Sequence, residues 1–207
     1  MIYDITRTVK PNTAVWPGDS TFHVDYVLRR SEGAPVNLTT ISLSPHTGTH
    51  ADAYFHYEDD GEHPAAMPLS AYIGRARVVT VSKEDGALMP EDFADGAFVN
   101  VDRLLIHSHV SNFPDDEWAQ PFPYLSVALI ERFAAEGIVL VGLDSPSVDA
   151  FDSKELPCHH ALRRRGMVNL ESLHLRDVLD GDYELIALPL KLDLTCGSPV
   201  RAILRSV

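Results

Sequence analysis

The chain has 207 residues, 45% of them hydrophobic and 23% charged, with 17 Lys and Arg against 30 Asp and Glu for a formal charge of −13. That charge argues against a phosphate-backbone partner, which clustered Lys and Arg would have to hold, and the one basic run, Arg163-Arg164-Arg165, is short enough to be a solvated helix end. No stretch approaches the ~18 consecutive apolar residues of a membrane span, so neither nucleic acid nor membrane is expected as a partner.

The opening MIYDITRTVK lacks the apolar run of a secretory signal and reads as a first strand. Two cysteines, Cys158 and Cys196, are too few for a disulfide framework, which points to a reducing cytoplasm. No repeat, low-complexity tract or Ser/Gly linker marks a boundary, so residues 1–207 are expected to form a single domain with a substantial core.

Taken in chain order, β-branched content and alternation predict strands at Ile2–Thr6, Val36–Ser44, Arg77–Ser82, Leu104–His107, Gly137–Val141, Glu184–Leu190 and Val200–Arg205. Helical signals are fewer. Ser126 caps a helix from Val127 to Glu136 that Gly137 ends, and Pro157 suits the first turn of a second helix that stops at Gly166. Strands outnumber helices and βαβ alternation is irregular, which favours a mixed α/β or α+β domain over a doubly wound sheet. Ser111–Pro123 (SNFPDDEWAQPFP) is a long Pro-rich stretch of the kind that is either functional or mobile.

Ten histidines are an unusual number, and Ser44–Tyr57 (SPHTGTHADAYFHY) places His46, His50, Asp52 and His56 within eleven positions. Imidazole nitrogen and carboxylate oxygen suit Zn²⁺, Mn²⁺ and related ions. One helix cannot gather these groups, because Asp52 and His56 fall on a different side from His46 and His50. A straight strand cannot either, since it would spread them over ~33 Å. The workable path is a strand ending near His46, a bend at Gly48 and a return carrying His50 and Asp52. Lone histidines are usually surface or satisfied core groups, but four metal-capable side chains beside small residues point to a metal site. HExxH is absent, which excludes that class of protease. Cys158-His159-His160 followed by Glu171 supplies a second set, of the kind a two-metal centre needs.

HTGTHADAYFH resembles the signature H-x-G-T-H-x-D-x-P-x-H of the metal-dependent cyclase/formamidase family. AVWPGD from Ala14, PLSAYIGRARVV from Pro68, VGLDSPSVD from Val141, DSKELPCHHALRRRG from Asp152, GDYELIALPL from Gly181 and SPVRAIL from Ser198 extend the similarity along nearly the whole chain. Within the family it is most similar to the bacterial kynurenine formamidase (arylformamidase) branch. The resemblance implies a compact β/β/α fold, a homodimer-based assembly and two Zn²⁺ per subunit, with Mn²⁺ also compatible with the ligands.

By motif position, the resemblance implies that His46, His50 and Asp52 hold one metal. Asp52 bridges to a second, which His159 and Glu171 complete; His159 rather than His160 has the family's spacing to Gly166 and Glu171. It further implies His56 as catalytic acid/base, Trp16 against the substrate, and hydrolysis of N-formyl-L-kynurenine to L-kynurenine and formate. Two alternatives stand beside this reading. One is an isatin-hydrolase-like amide hydrolase, suggested by Tyr54, which replaces the family's Pro and is expected to set a bulky ring beside the site. The other is a non-catalytic metal-binding module, which a closed four-coordinate metal would mark. Cys158, next to His159, is read as a buried neutral thiol rather than a ligand. His107 and His109 are the remaining histidines expected nearest the pocket, and Asp144 and Asp149 are read as turn and capping residues.

Overall fold

A computed structural model describes all residues from Met1 to Val207. Thirteen strands form: β1 (Ile2–Asp4), β2 (His23–Leu28), β3 (Leu38–Ser42), β4 (His50–Asp52), β5 (Ile73–Thr80), β6 (Gly86–Leu88), β7 (Arg103–His107), β8 (Pro123–Leu125), β9 (Leu140–Leu143), β10 (Val168–Glu171), β11 (Gly181–Ile186), β12 (Gly197–Pro199) and β13 (Ile203–Ser206). Two helices join them, α1 (Val127–Ala135) and α2 (Pro157–Arg164). The Leu129 N–H donates to Ser126 Oγ at 3.1 Å, and Gly137 takes φ +84° past the end of α1.

Nine strands make one mixed sheet in the order β1-β13-β11-β5-β7-β9-β10-β4-β12. β5, β7, β9 and β10 run parallel, while the flanking pairs are antiparallel. This is the mixed α/β arrangement expected from the sequence. Alternation along the central strands divides the core. Leu104 and Ile106 of β7 and Val141 and Leu143 of β9 face Leu129, Ile130 and Phe133 of α1 and Ala161 and Leu162 of α2. Leu105 and Leu140 point the other way, into a cluster that also holds Ile5, Ala51 of β4 and Leu204 of β13. Strands near opposite ends of the sheet order share one core, so the sheet curls around it.

β2 and β3 stand apart as a two-stranded ribbon, and every residue of β3 is exposed. The sequence reading placed a strand at Val36–Ser44 but did not find its partner, His23–Leu28.

Candidate metal centre and cavity

β4 lies between β10 and β12, and the pairing register decides what meets. His50 stands opposite Glu171, and Asp52 stands opposite Gly197. Period-two alternation sends Ala51 and Leu170 into the core and His50, Asp52, Asn169 and Glu171 to the opposite face. The bend is made at Gly48, whose φ of +65° is open to glycine at no cost. α2 brings His159 to the same place.

His46, His50 and Asp52 form one group of converging ligand atoms, and Asp52, His159 and Glu171 form another that shares Asp52. His46 Nδ1 is 3.0 Å from Asp52 Oδ1, His50 Nε2 lies 3.4 Å from both Asp52 Oδ1 and Glu171 Oε2, and His159 Nε2 lies 3.3 Å from Asp52 Oδ2. His50, Asp52, His159 and Glu171 are all buried. Yet His50 Nε2 and Asp52 Oδ1 make no hydrogen bond. Two buried polar atoms left unpaired cost about 1–3 kcal/mol each. A divalent cation among these N and O donors would satisfy both, so the residues fit a bound metal.

The opposite nitrogens are fixed. The His50 Nδ1–H donates to the Gly48 carbonyl at 2.9 Å and the His159 Nδ1–H to Asp149 Oδ2 at 2.7 Å, which turns both Nε2 atoms inward. Asp149 also accepts the N–H groups of Cys158 and His159 at the start of α2, so it caps the helix and orients the His159 ring together. Asn169 Nδ2 donates to Asp52 Oδ2 and Glu171 Oε1, and the Val148 N–H donates to Glu171 Oε1.

Electrostatics match. Burial works against imidazolium, but Asp52 and Cys196 push His46 up to about 9, and Asp52 and Glu171 push His50 up to about 10. His159, between Asp149 and Asp52, also reaches about 10 against burial. Burial alone would raise Asp52, but contacts with His159, His46 and His50 hold it well below the carboxylate range. The buried carboxylates draw in positive charge, which a metal would supply while releasing protons.

His46 and His56 line a cavity of about 670 Å³ together with His50, His159 and Glu171. The His56 ring centroid is 4.2 Å from that of His46 and the side chain is exposed, so it reaches both the cluster and solvent. Trp16 lines the same cavity, with its ring 5.3 Å from Trp118 and 5.1 Å from Phe151. Ser111–Pro123 is therefore a cavity wall, supplying Phe113, Trp118 and Ala119.

Tyr54 departs from expectation. It does not line the cavity, because its hydroxyl donates to the Met167 carbonyl at 3.0 Å and its ring packs on the core. His160 binds Glu58 at 2.7 Å instead of turning inward. Neither His107 nor His109 lines the cavity: His107 meets Thr80, and His109 packs on Phe113. Asp144 organises a loop by accepting from the backbone N–H and hydroxyl of both Ser108 and Ser111. Cys158 is buried, donating its thiol to the Leu125 carbonyl, and burial pushes it up. Cys196 was missed: its sulfur is 3.1 Å from His46 Nε2, and His46 and His56 lower its thiol to about 6. No local signal could have found it, since it arrives through the pairing of β12 with β4.

The family described as "Putative cyclase" matches residues 3–150. Kynurenine formamidase of Salinibacter ruber is 43% identical over 205 residues, covering 99% of this chain and 97% of its own length. That of Maricaulis maris is 40% identical over 206 residues, covering 100% and 98%. Among solved structures, isatin hydrolase A from Labrenzia aggregata, bound to benzyl benzoate, superposes with a TM-score of 0.85 at 25% identity over 99% of this chain and 93% of that one. A family match over most of the chain, together with relatives above 40% or at 40% identity along its whole length, makes this protein a member of the cyclase/formamidase family.

Proposed function

We propose that the chain hydrolyses N-formyl-L-kynurenine to L-kynurenine and formate, a step of tryptophan breakdown. The observation that carries the reading is the convergence of His46, His50, His159 and Glu171 on Asp52 at the floor of an aromatic-walled cavity, with His50 Nε2 and Asp52 Oδ1 unpaired. His46, His50 and Asp52 would hold one Zn²⁺, and Asp52, His159 and Glu171 a second. Ions bound there lower the pKa of water towards ~7 and polarise a carbonyl oxygen.

The chain's own groups do the rest. Trp16 and Trp118 present aromatic faces that orient an aryl ring. His56, exposed at the cavity edge where it can exchange protons with water, hands one to the departing aryl-amine nitrogen. No serine or cysteine nucleophile is required.

The reaction belongs in the cytoplasm, where Cys158 and Cys196 stay reduced. Residues 1–207 act as one domain, since Ile5 and Leu204 share a core cluster. The assembly is a homodimer. An isolated two-stranded ribbon is marginal in water, and β2–β3 exposes Tyr26, Val27, Leu38 and Ile41, a surface suited to a second copy.

The test is formylkynurenine hydrolysis, followed by absorbance, on chelator-stripped protein with and without Zn²⁺. Activity should vanish on stripping and return with metal. His56→Ala should keep its zinc and lose turnover by about 10²–10⁴; wild-type turnover in that variant would refute the role given to His56. A second reading, hydrolysis of the ring amide of isatin, rests on the fold shared with isatin hydrolase A. Equal or better turnover of isatin would favour it.

A further inference from the structure

Each histidine of the cluster has one nitrogen facing the carboxylates and the other on a fixed acceptor, but His46 is wired differently. His50 and His159 turn Nε2 inward and anchor Nδ1 on Gly48 and Asp149. His46 turns Nδ1 inward, onto Asp52, and presents Nε2 to Cys196 Sγ at 3.1 Å. We propose that Cys196 is a positioning residue of the metal centre, whose sulfur accepts the Nε2 proton of His46 and so fixes the tautomer and ring angle that aim Nδ1 at Asp52. The inference rests on the metal-binding part of the proposed function, not on its substrate.

Three observations support it. The sulfur is held by rigid backbone on both sides. The Thr195 carbonyl pairs with His63 Nδ1 at 3.0 Å, the Cys196 carbonyl accepts the Ala53 N–H at 3.0 Å, and Gly197 pairs with Asp52 in the β4–β12 ladder. The ring and this segment are also in close contact: a Cβ on Gly197 would come within 3.0 Å of His46 Cε1 and of the Ala51 carbonyl oxygen. Lastly, Cys196 Sγ meets His46 Nε2 at 3.1 Å while Asp52 Oδ1 meets Nδ1 at 3.0 Å, so the sulfur lies across the ring from Asp52, and it groups with His46 and His56 but not with His50 or Asp52. Outer partners of this kind orient metal-bound imidazoles, and losing one typically weakens metal binding about 10–100-fold.

The experiment measures zinc affinity of the full-length wild type, Cys196→Ala and Cys196→Ser by competition with a chromophoric zinc chelator, with circular dichroism to confirm folding. Cys196→Ala should bind about 10–100-fold more weakly, while Cys196→Ser, which keeps a small acceptor, should recover most of the loss. Nitrogen NMR of the zinc-loaded wild type should show His46 protonated at Nε2 and His50 and His159 protonated at Nδ1, a readout that needs no variant. Unchanged affinity in Cys196→Ala, or His46 protonated at Nδ1, would overturn the proposal. So would a thiolate-to-cobalt charge-transfer band in the Co²⁺ protein that Cys196→Ala abolishes, because the sulfur would then be a ligand. A wild type that takes up no zinc would sink the metal reading as well; absence of formylkynurenine turnover alone would touch neither.

Discussion

Asp149→Asn changes one atom and tests how the second ligand group is held. Asp149 carries three hydrogen bonds on two oxygens: Oδ1 accepts the Cys158 N–H at 3.0 Å, and Oδ2 accepts the His159 N–H at 3.1 Å and the His159 Nδ1–H at 2.7 Å. An amide has one oxygen, so in either flip its NH₂ group faces at least one of these N–H donors. With the amide oxygen kept towards His159, the Cys158 N–H is left unpaired in a site only 1% exposed at Asp149, at a cost of about 1–3 kcal/mol.

With the opposite flip, both bonds to His159 are lost and the imidazole is free to rotate or change tautomer. In the first flip the retained Nδ1–H bond from His159 still loses its charge assistance, which weakens it roughly twofold. Thermal unfolding in chelator should therefore show a loss of about 1–3 kcal/mol, and chelator competition should show zinc affinity about 10–100-fold weaker. The stability loss alone, with zinc affinity unchanged, would refute the orienting role and leave Asp149 as only a helix cap.

A Cβ at Gly61 would sit 2.3–2.5 Å from Tyr54 and Phe55 backbone atoms, so Gly61→Ala should displace the turn that carries His56. It should lose about 1–3 kcal/mol or more in urea unfolding, with turnover falling further than zinc binding. Arg77 and Arg75 hold Asp182 at about 2, below its ordinary 3.8, so its contribution to stability is full above about pH 4 and drains away as pH falls through 2. The pair is partly solvated, which keeps that contribution under about 1 kcal/mol, and Asp182→Asn should match wild type at pH 2 while falling below it at pH 6 in urea titrations. If the proposed homodimer forms through the exposed ribbon, Ile41→Asp should shift sedimentation towards monomer relative to wild type without changing metal content; the same sedimentation in both would remove β2–β3 from the proposed interface.

What sequence could reveal was set by how local each feature is. His46, His50 and Asp52 were readable because a single bend at Gly48 and a period-two strand bring them together within seven residues. α1 was readable because both its ends carry their own signals, Ser126 and Gly137. The strand predicted at Gly137–Val141 runs instead from Leu140 to Leu143. All four of its residues are buried, so an unbroken apolar run gives no phase from which to set its ends. β6, β8 and β12 are three residues long and lie in no longer alternating run, so nothing marked them, whereas the equally short β1 sits inside the run Ile2–Thr6 and β4 was found through its ligand-type side chains. Asp149 was legible as a cap, but not as a partner of His159, since both roles depend on where α2 meets the sheet. Tyr54 misled because the motif gives its neighbours in sequence, whereas its direction is set by the distant Met167 carbonyl.

The two halves of the site are held by different physics, and that bears on how one fold serves different amides. His50, Asp52 and Glu171 sit on laddered strands and His159 on a helix, so their spacing is fixed by backbone hydrogen bonds that a change in the cavity wall does not disturb. Trp16 and Trp118 of the wall, and Phe151 behind them, come from three connecting segments and pack on one another and on the small cluster of Val110, Ala119 and Phe122, outside the main sheet. Substitution in the wall can therefore alter which aryl or cyclic amide is admitted while the ligand spacing stays the same. That is the relation expected between relatives named kynurenine formamidase and a structural neighbour named isatin hydrolase. Trp118→Ala should accordingly raise KM for an aryl substrate far more than it weakens zinc binding; a variant that lost zinc in proportion would show that wall and ligands are one mechanical unit after all.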